Sequence, residues 1–443
     1  MLSEPFLGVR KQQQDLTRTE INLVFGVLGL CSSILWNQLL LSVGLLVKLF
    51  GDSAISIACT SQNVLCGLVM WVLTFAPASV AMEARGGDQH RARSIMLLAA
   101  AVLCMLGLGT ALSATLVLHR LPMWLFVVLV ALDGAATGTA QIVGASLGGM
   151  LSGANSDAAA ALLVGEAAAP LLAALCAALI SLAPTHDDEY QRTLVALPLP
   201  MSVLLLALVA LRTLYRAKPP GGVPLECQTL GITGSKPEGT SFIRMRVRQL
   251  LPSAACVCAC CFTWIFFLCS APAVAAGLCG TPPTAAQPSP PPSPASAALV
   301  GEGGGQASDC VAAVSSLMVG VSNVAAFTGR LVGGVLPPGC SPTWMLSLET
   351  IVMVLLGFGA ILMTEARSEG LAEPAVVGGA LSAGLTLWCN CLLMRLSAAA
   401  QKQAGTEHSI LCPCPITAQI SWVAIQTGCL GGSLLSFVLK AAP

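Results

Sequence analysis

Four charged side chains stand inside otherwise apolar stretches of this sequence: Asp133, Glu166, Arg330 and Glu349. A charge placed in hydrocarbon costs at least about 2.5–3.5 kcal/mol on insertion scales, so each one needs a partner or a role. An arginine and a carboxylate in such surroundings can pair, grip a polar ligand or carry a proton. Glu349 lies near the start of its apolar stretch, which favours an interfacial structural role.

A polar stripe begins at Asp133, since Thr137 and Gln141 follow at intervals of four residues and so share one helix face. Gly134 and Gly138 on the same helix would let a second helix approach closely. The stripe fits either a wall of a water-filled path or a helix interface held by buried hydrogen bonds. An aspartate is a costly contact between helices, which favours the path.

Glu166 is followed four residues later by Pro170, which has no N–H to donate to the carbonyl of Glu166. This point therefore offers a carboxylate and a freed carbonyl, two acceptors that suit a cation or a ligand rich in donors. The structural alternative is a glutamate satisfied by Arg330 or by a proton. Asn323 lies seven residues before Arg330 and shares its helix face.

Trp36 and Asn37 lie midway along the first apolar stretch, where the indole could stack on a flat ring and the amide could hydrogen-bond its edge. Either residue alone would more often be a packing residue. No metal site is expected, because the cysteines at 256–261 do not converge on one point and all four histidines lie in loops or at span ends. Since catalytic motifs are also missing, we expect no enzyme activity and no cofactor.

The composition identifies an integral membrane protein. Of 443 residues, 55% are hydrophobic and 9% charged, and the mean hydropathy is +0.81. An ordinary soluble domain carries about 25% charged residues and could not hide so much apolar surface. The partners expected are therefore the lipid bilayer and a small-molecule substrate. Lys+Arg and Asp+Glu both number 21, so bulk charge gives no reason to expect a nucleic-acid partner.

The apolar stretches predict eleven membrane-spanning helices, since a span needs about 20 mainly apolar residues. They are 21–49, 55–80, 94–118, 121–151, 157–184, 192–213, 249–275, 310–336, 342–364, 371–396 and 413–439. We predict an all-α polytopic protein with a tail at 1–20, a six-helix bundle at 21–213, a linker at 214–248 and a five-helix bundle at 249–443. The Pro- and Gly-rich loop at 279–309 is predicted to be disordered.

Lysine and arginine set the expected orientation. With a cytoplasmic N-terminus, fifteen of them fall on the cytoplasmic side and five on the other, in keeping with the positive-inside rule. The linker at 214–248 is then cytoplasmic, and the loop at 279–309 and the C-terminus are outside. Cys279 and Cys310 bracket that loop and could pair in an oxidising space.

Short motifs in order along the chain resemble those of the equilibrative nucleoside transporters, over nearly the whole length. They are Leu35–Asn37, Gly138–Gln141, Ser146–Met150, Gly165–Ala167, Thr263–Pro272, Asn323 with Gly329–Arg330, and Gly431–Phe437. The resemblance implies a fold of the major facilitator superfamily type, with alternating access around a mid-membrane site. Together with the intramembrane polar residues it gives a predicted substrate site: Trp36, Asn37, Asp133, Gln141, Glu166, Asn323 and Arg330.

Two positions depart from the family pattern. Ala326 stands where the family has an aspartate that works with the arginine, so we expect Glu166 or Asp133 to face Arg330 instead. The other carboxylate would then attract a cationic substrate or take a proton. Glu166 replaces a glutamine found in many members and resembles the branch that carries organic cations and monoamines.

The expected function is transport of nucleosides or nucleobases by alternating access. The alternatives are a carrier of organic cations or monoamines in the same family, and a membrane receptor or scaffold that keeps the fold without transporting. The plasma membrane is the first expected location, and an intracellular membrane the second.

Overall fold

The computed structural model describes residues 16–50, 54–75, 87–117, 121–151, 158–181, 189–216, 239–279, 303–335, 349, 351, 374–406 and 415–441. The secondary structure in these ranges is α-helical. The helices are α1 (Arg18–Leu41), α2 (Val43–Phe50), α3 (Ala54–Phe75), α4 (Gly87–Val117), α5 (Met123–Leu151), α6 (Ala158–Ser181), α7 (Glu189–Ala196), α8 (Pro198–Arg216), α9 (Gly239–Cys279), α10 (Gly303–Val335), α11 (Pro374–Thr406) and α12 (Pro415–Ala441).

Within the described ranges, nine helices contain a stretch long and apolar enough to cross a membrane. A shorter apolar stretch, Leu317–Gly333, lies in α10. Ten of the eleven predicted spans therefore coincide with helices, and the predicted all-α polytopic class is confirmed. The remaining predicted span, 342–364, lies outside the described residues except for Glu349 and Ile351.

The helix ends differ from the predicted span ends for local physical reasons. The first span breaks at Ser42, whose N–H bonds back to the Leu39 carbonyl, and α2 restarts at once. The sixth span breaks before Pro198, which cannot continue the hydrogen-bond ladder of α7. Helices α9 and α10 begin at Gly239 and Gly303, inside the predicted linker and the predicted disordered loop. Because adding a turn to an existing helix costs little, a polar sequence does not by itself end a helix.

The two halves of the chain repeat the same pairing of helices. In the first half α1 packs along α6 and α3 along α5; in the second half α9 packs along α12 and α10 along α11. The predicted close approach at Gly134 and Gly138 is confirmed, because a Cβ at 138 would stand 2.7 Å from the Cys66 carbonyl oxygen of α3. Comparable contacts between backbones occur where Gly165 meets Gly26.

The halves meet along two main seams. One is formed by α6 and α10, and the other by α3 and α5 against α12. Apolar side chains fill the interior of each half, among them the fully buried Phe25, Ile34 and Phe267. The polar residues singled out by the sequence therefore have to be located relative to these two seams.

Candidate functional site

A buried ion pair joins the two halves at the seam of α6 and α10. Arg330 Nη1 lies 2.8 Å from Glu166 Oε2, with side-chain exposures of 6% and 13%. The expectation that a carboxylate of the first half faces Arg330 is confirmed, and Glu166 is the one. Glu166 thereby balances the charge of Arg330 from the opposite half.

Three further groups complete this pair, and we call the whole the seam network: Arg330, Glu166, Gln141, Asn390 and the Leu163 carbonyl. Gln141 Nε2 donates to Glu166 Oε1 at 2.9 Å. Arg330 Nε donates to Asn390 Oδ1 at 2.9 Å, and its Nη1 also reaches the Leu163 carbonyl at 3.5 Å. The network thus draws on four helices, two from each half.

Local packing fixes the orientation of the groups around Arg330. The Asn390 amide donates to the Thr386 carbonyl at 2.9 Å, which turns its oxygen toward Arg330. Gly329 leaves room for α11, since a Cβ there would stand 3.1 Å from that of Asn390. Gly329 therefore allows α11 to approach closely, and Asn390 on α11 then accepts a hydrogen bond from the neighbouring Arg330.

The carbonyl that Pro170 leaves without a helical donor is not free. Ser33 Oγ on α1 donates to the Glu166 carbonyl at 3.4 Å, across the close contact of α1 and α6. The expectation of an open carbonyl acceptor at this point is wrong, because a neighbouring helix supplies the hydroxyl. Ser33 lies near the middle of α1, so the contact also places Glu166 at mid-depth of the bundle.

The polar stripe on α5 divides into two parts. Gln141 belongs to the seam network, whereas Asp133 lies eight residues away, about 12 Å along the helix at 1.5 Å per residue. Asp133 is 3% exposed, and neither carboxylate oxygen has a hydrogen-bond partner among the residues that the structure describes. The same holds for the buried Thr137 hydroxyl. Asp133 is therefore the carboxylate that Arg330 does not engage.

The remaining predicted site residues lie outside the hydrogen bonds of the seam network. Asn37 is buried and donates to the Ser33 carbonyl at 2.8 Å. Trp36 is partly buried and packs against a cluster of side chains drawn from α1, α3 and α9. Asn323 is buried, and within the described part of the chain its Nδ2 has no hydrogen-bond acceptor.

The second seam holds polar contacts that sequence reasoning did not assign to a site. Gln426 Nε2 on α12 donates to Asn63 Oδ1 on α3 at 2.9 Å, and Asn63 Nδ2 reaches Ser433 Oγ at 3.4 Å. Asn63 and Asn390 were both recognisable as amides inside spans. Their partners were not, because one sequence does not reveal which helices adjoin.

Glu349 forms an ion pair with Arg395, with Nη1 and Oε2 2.8 Å apart and exposures of 25% and 21%. A partly exposed pair of this kind agrees with the structural role predicted for Glu349. It also provides an intramolecular comparison for the more deeply buried pair at Arg330.

Comparison with known proteins gives a likeness of fold. No family model matches the sequence, and no curated protein matches it. The fucose:proton symporter of Escherichia coli superposes with a TM-score of 0.51 at 12% identity, covering 95% of this chain and 92% of that one. A bacterial homologue of the human lysosomal transporter Spinster gives 0.51 at 11%, covering 95% and 82%.

The major facilitator superfamily proton:xylose symporter XylE gives a TM-score of 0.48 at 14% identity, covering 96% of this chain and 88% of that one. The predicted fold of major facilitator type is confirmed by the two closer superpositions. The resemblance to the equilibrative nucleoside transporters is not confirmed by any of these comparisons.

Proposed function

We propose that this chain is a multi-pass membrane transporter that works by alternating access. The observation that carries the proposal is the buried pair of Arg330 and Glu166, which joins the two halves at mid-depth. Two charges inside a membrane fold cost more than an apolar seam of the same size would. An ion pair that breaks and re-forms as the halves move would explain why these charges are kept despite their cost. In transporters of this fold the two halves rock about a central site.

We propose nucleosides or nucleobases as the substrates. These are flat rings rich in donors and acceptors, and the polar groups near the centre of the bundle match that chemistry. Trp36 packs against a cluster with members from both halves and offers an aromatic face, and Asn323 has an unused amide donor within the described chain. Arg330 could exchange its contact with Glu166 for two acceptors on one ligand.

An organic cation is the second candidate, and Asp133 is the observation that favours it. An unpaired buried carboxylate attracts positive charge. The resemblance to the cation-carrying branch pointed to Glu166, but Glu166 is occupied by Arg330 and Gln141. Asp133, the carboxylate that Arg330 does not engage, is then the group left to attract a cationic substrate.

We further propose a cytoplasmic N-terminus, a C-terminus outside and a location in the plasma membrane. The excess of Lys and Arg on one side supports this orientation. Cys279, at the end of α9, is disulfide-bonded. Since disulfides persist in oxidising spaces, this supports placing that end of the bundle outside the cytoplasm.

Uptake of labelled adenosine, hypoxanthine and a monoamine by cells expressing the chain tests the proposal. We expect Arg330→Ala to abolish uptake of the transported compound while the protein still reaches the membrane, and Arg330→Lys to rescue it poorly. A planar fork that grips two acceptors differs from a point charge. Arg395→Ala is the matched control, because it removes an arginine of the other ion pair.

Normal uptake by Arg330→Ala would place the site elsewhere. If the wild type carries none of the three compounds although it is correctly inserted, the non-transporting receptor or scaffold is the better description. Uptake of the monoamine alone would favour the organic cation.

A further inference from the structure

We propose that Asp133 is a proton-binding site, whose carboxyl group holds a proton in the arrangement of the structure and releases it to water when the halves part. The inference rests on the proposed transport function and adds the partner that would drive it. In this arrangement the proton sits on a carboxylate oxygen. On opening, the O–H bond breaks, water accepts the proton and the carboxylate becomes ionised.

The burial of Asp133 without hydrogen-bond donors favours its protonated form. It is 3% exposed, and neither oxygen accepts a hydrogen bond from the described residues. A buried carboxylate is normally paired or hydrogen-bonded, as Glu166 is by two donors. An ionised group without any donor is the costliest state for such a site, and taking up a proton removes the charge.

Among the residues that the structure describes, the helices packed against α5 place no positive charge beside Asp133 in the middle of the bundle. Helix α5 packs against α1, α3, α4, α6 and α12. The ionisable side chains in the middle of these helices are Glu166, Cys31, Cys59, Cys66, Cys104, Cys176 and Cys429. Of these, Cys66 and Cys104 lie near enough to interact electrostatically with Asp133. None of these groups is a cation.

The arginines that could compensate Asp133 are engaged or distant. Arg330 is bonded to Glu166. Arg93 lies eleven residues before Cys104 on α4, about 16 Å along the helix axis. Other charged residues of the neighbouring helices lie in terminal turns, such as Arg18 and Glu20 at the start of α1. A proton is then the partner that the site lacks.

A proton also fits the available space better than a larger cation. A metal ion would need several oxygen ligands, and within the described residues no cluster of ionisable side chains suits one. An amine would need a cavity beside Asp133, whereas a proton adds no volume. The Thr137 hydroxyl, one turn away, has no partner in the described ranges either and could accept from the protonated acid after a rotamer change.

Asp133 is placed to influence the seam network through one rigid element. Gln141 on the same helix donates to Glu166, and α5 also packs against α12 of the other half. With α5 packed against α12 of the other half, Asp133 is 3% exposed, which favours its neutral form. We propose that movement of α12 away from α5 admits water and favours the ionised form. Proton binding and the position of the halves are thereby linked.

Infrared spectroscopy of the purified full-length protein in detergent tests the protonation directly, without a substrate. At neutral pH we expect a C=O stretching band of a protonated carboxyl group that is lost in Asp133→Asn. The band should stay in the matched control Glu349→Gln, which removes the carboxylate paired with Arg395. Asp133→Glu should retain a band at a shifted frequency, which covers the case in which the asparagine variant does not fold.

The proposal is overturned if the wild type shows no such band at neutral pH, or if Asp133→Asn leaves it unchanged. Protection of the wild type against heat by a monoamine, lost in Asp133→Asn and without a band in either protein, would identify a site for an organic cation instead.

Proteoliposomes test the coupling. An inward proton gradient should raise initial uptake of labelled adenosine or hypoxanthine several-fold in the wild type, and in Asp133→Asn the ratio with and without the gradient should fall to one. A ratio that stays high in the variant refutes coupling through Asp133. If the wild type carries neither compound, the proposed transport function fails, and the infrared result still decides whether Asp133 holds a proton.

Discussion

Replacing Glu166 by glutamine should destabilise the folded protein strongly, although the two side chains have almost the same shape. The substitution keeps an acceptor near Arg330 but removes the charge, and Arg330 is only 5% exposed. Removing one partner of a buried pair costs about 3–5 kcal/mol, because the other charge is left uncompensated. Asn390 and the Leu163 carbonyl remain as neutral acceptors and offset part of that cost.

The reverse substitution, Arg330→Gln, should cost a similar amount, because it leaves the Glu166 carboxylate buried without its cation. The double variant carries two neutral amides that can bond to each other. Its destabilisation should fall below the sum of the single effects by about 2–3 kcal/mol, the upper range for directly coupled residues.

The cycle is measured as the free energy of unfolding in mixed micelles titrated with sodium dodecyl sulfate, followed by circular dichroism. All four proteins are compared under one condition, and the same cycle on Glu349 and Arg395 serves as the matched control. That pair is more exposed, so its coupling should stay within about 1 kcal/mol. Single effects at Glu166 and Arg330 that add within about 0.5 kcal/mol would refute the buried pair.

Three more outcomes are expected. Gly138→Ala should cost about 1–3 kcal/mol of unfolding free energy by overpacking the contact with α3, whereas the control Gly107→Ala, with nothing within 4 Å of its new Cβ, should be neutral or stabilising. Ser33→Ala should cost about 1 kcal/mol by leaving the Glu166 carbonyl without its donor, and Ser32→Ala, which loses a bond within its own helix, should cost less. Epitope tags in the 214–248 linker should be protected in intact cells and those in the Pro-rich loop accessible; the opposite result would reverse the orientation.

The partner of Arg330 could be predicted because electrostatics leaves few choices. An intramembrane arginine needs a carboxylate, and the spans of the first half offer Asp133 and Glu166. Sequence could not choose between them, since the choice depends on which face of α6 meets α10. The Asn390 and Ser33 contacts were out of reach for the same reason. Both depend on helix neighbours far apart in the chain.

The positions of the spans could be predicted from the sequence, whereas the ends of the helices could not. Hydrocarbon imposes a length of about 20 apolar residues, and ten predicted spans meet helices accordingly. The ends follow local capping and the propagation of the helix into polar sequence. Arg244, Arg246 and Arg248 suggested a linker, yet they lie within α9, since arginine is a good helix former.

Helices whose backbones touch at glycines cannot slide past one another without a clash, so each half should respond to its surroundings as one body. The lipid presses on the outer faces of both bodies, and a bilayer thinner or thicker than their apolar bands costs fractions of a kcal/mol per Å of mismatch. A stiff half does not absorb this strain by bending. The strain should act instead at the seam of α6 and α10, where the ion pair of Arg330 and Glu166 joins the halves. The thickness of the membrane would thereby bias how readily Arg330 and Glu166 separate.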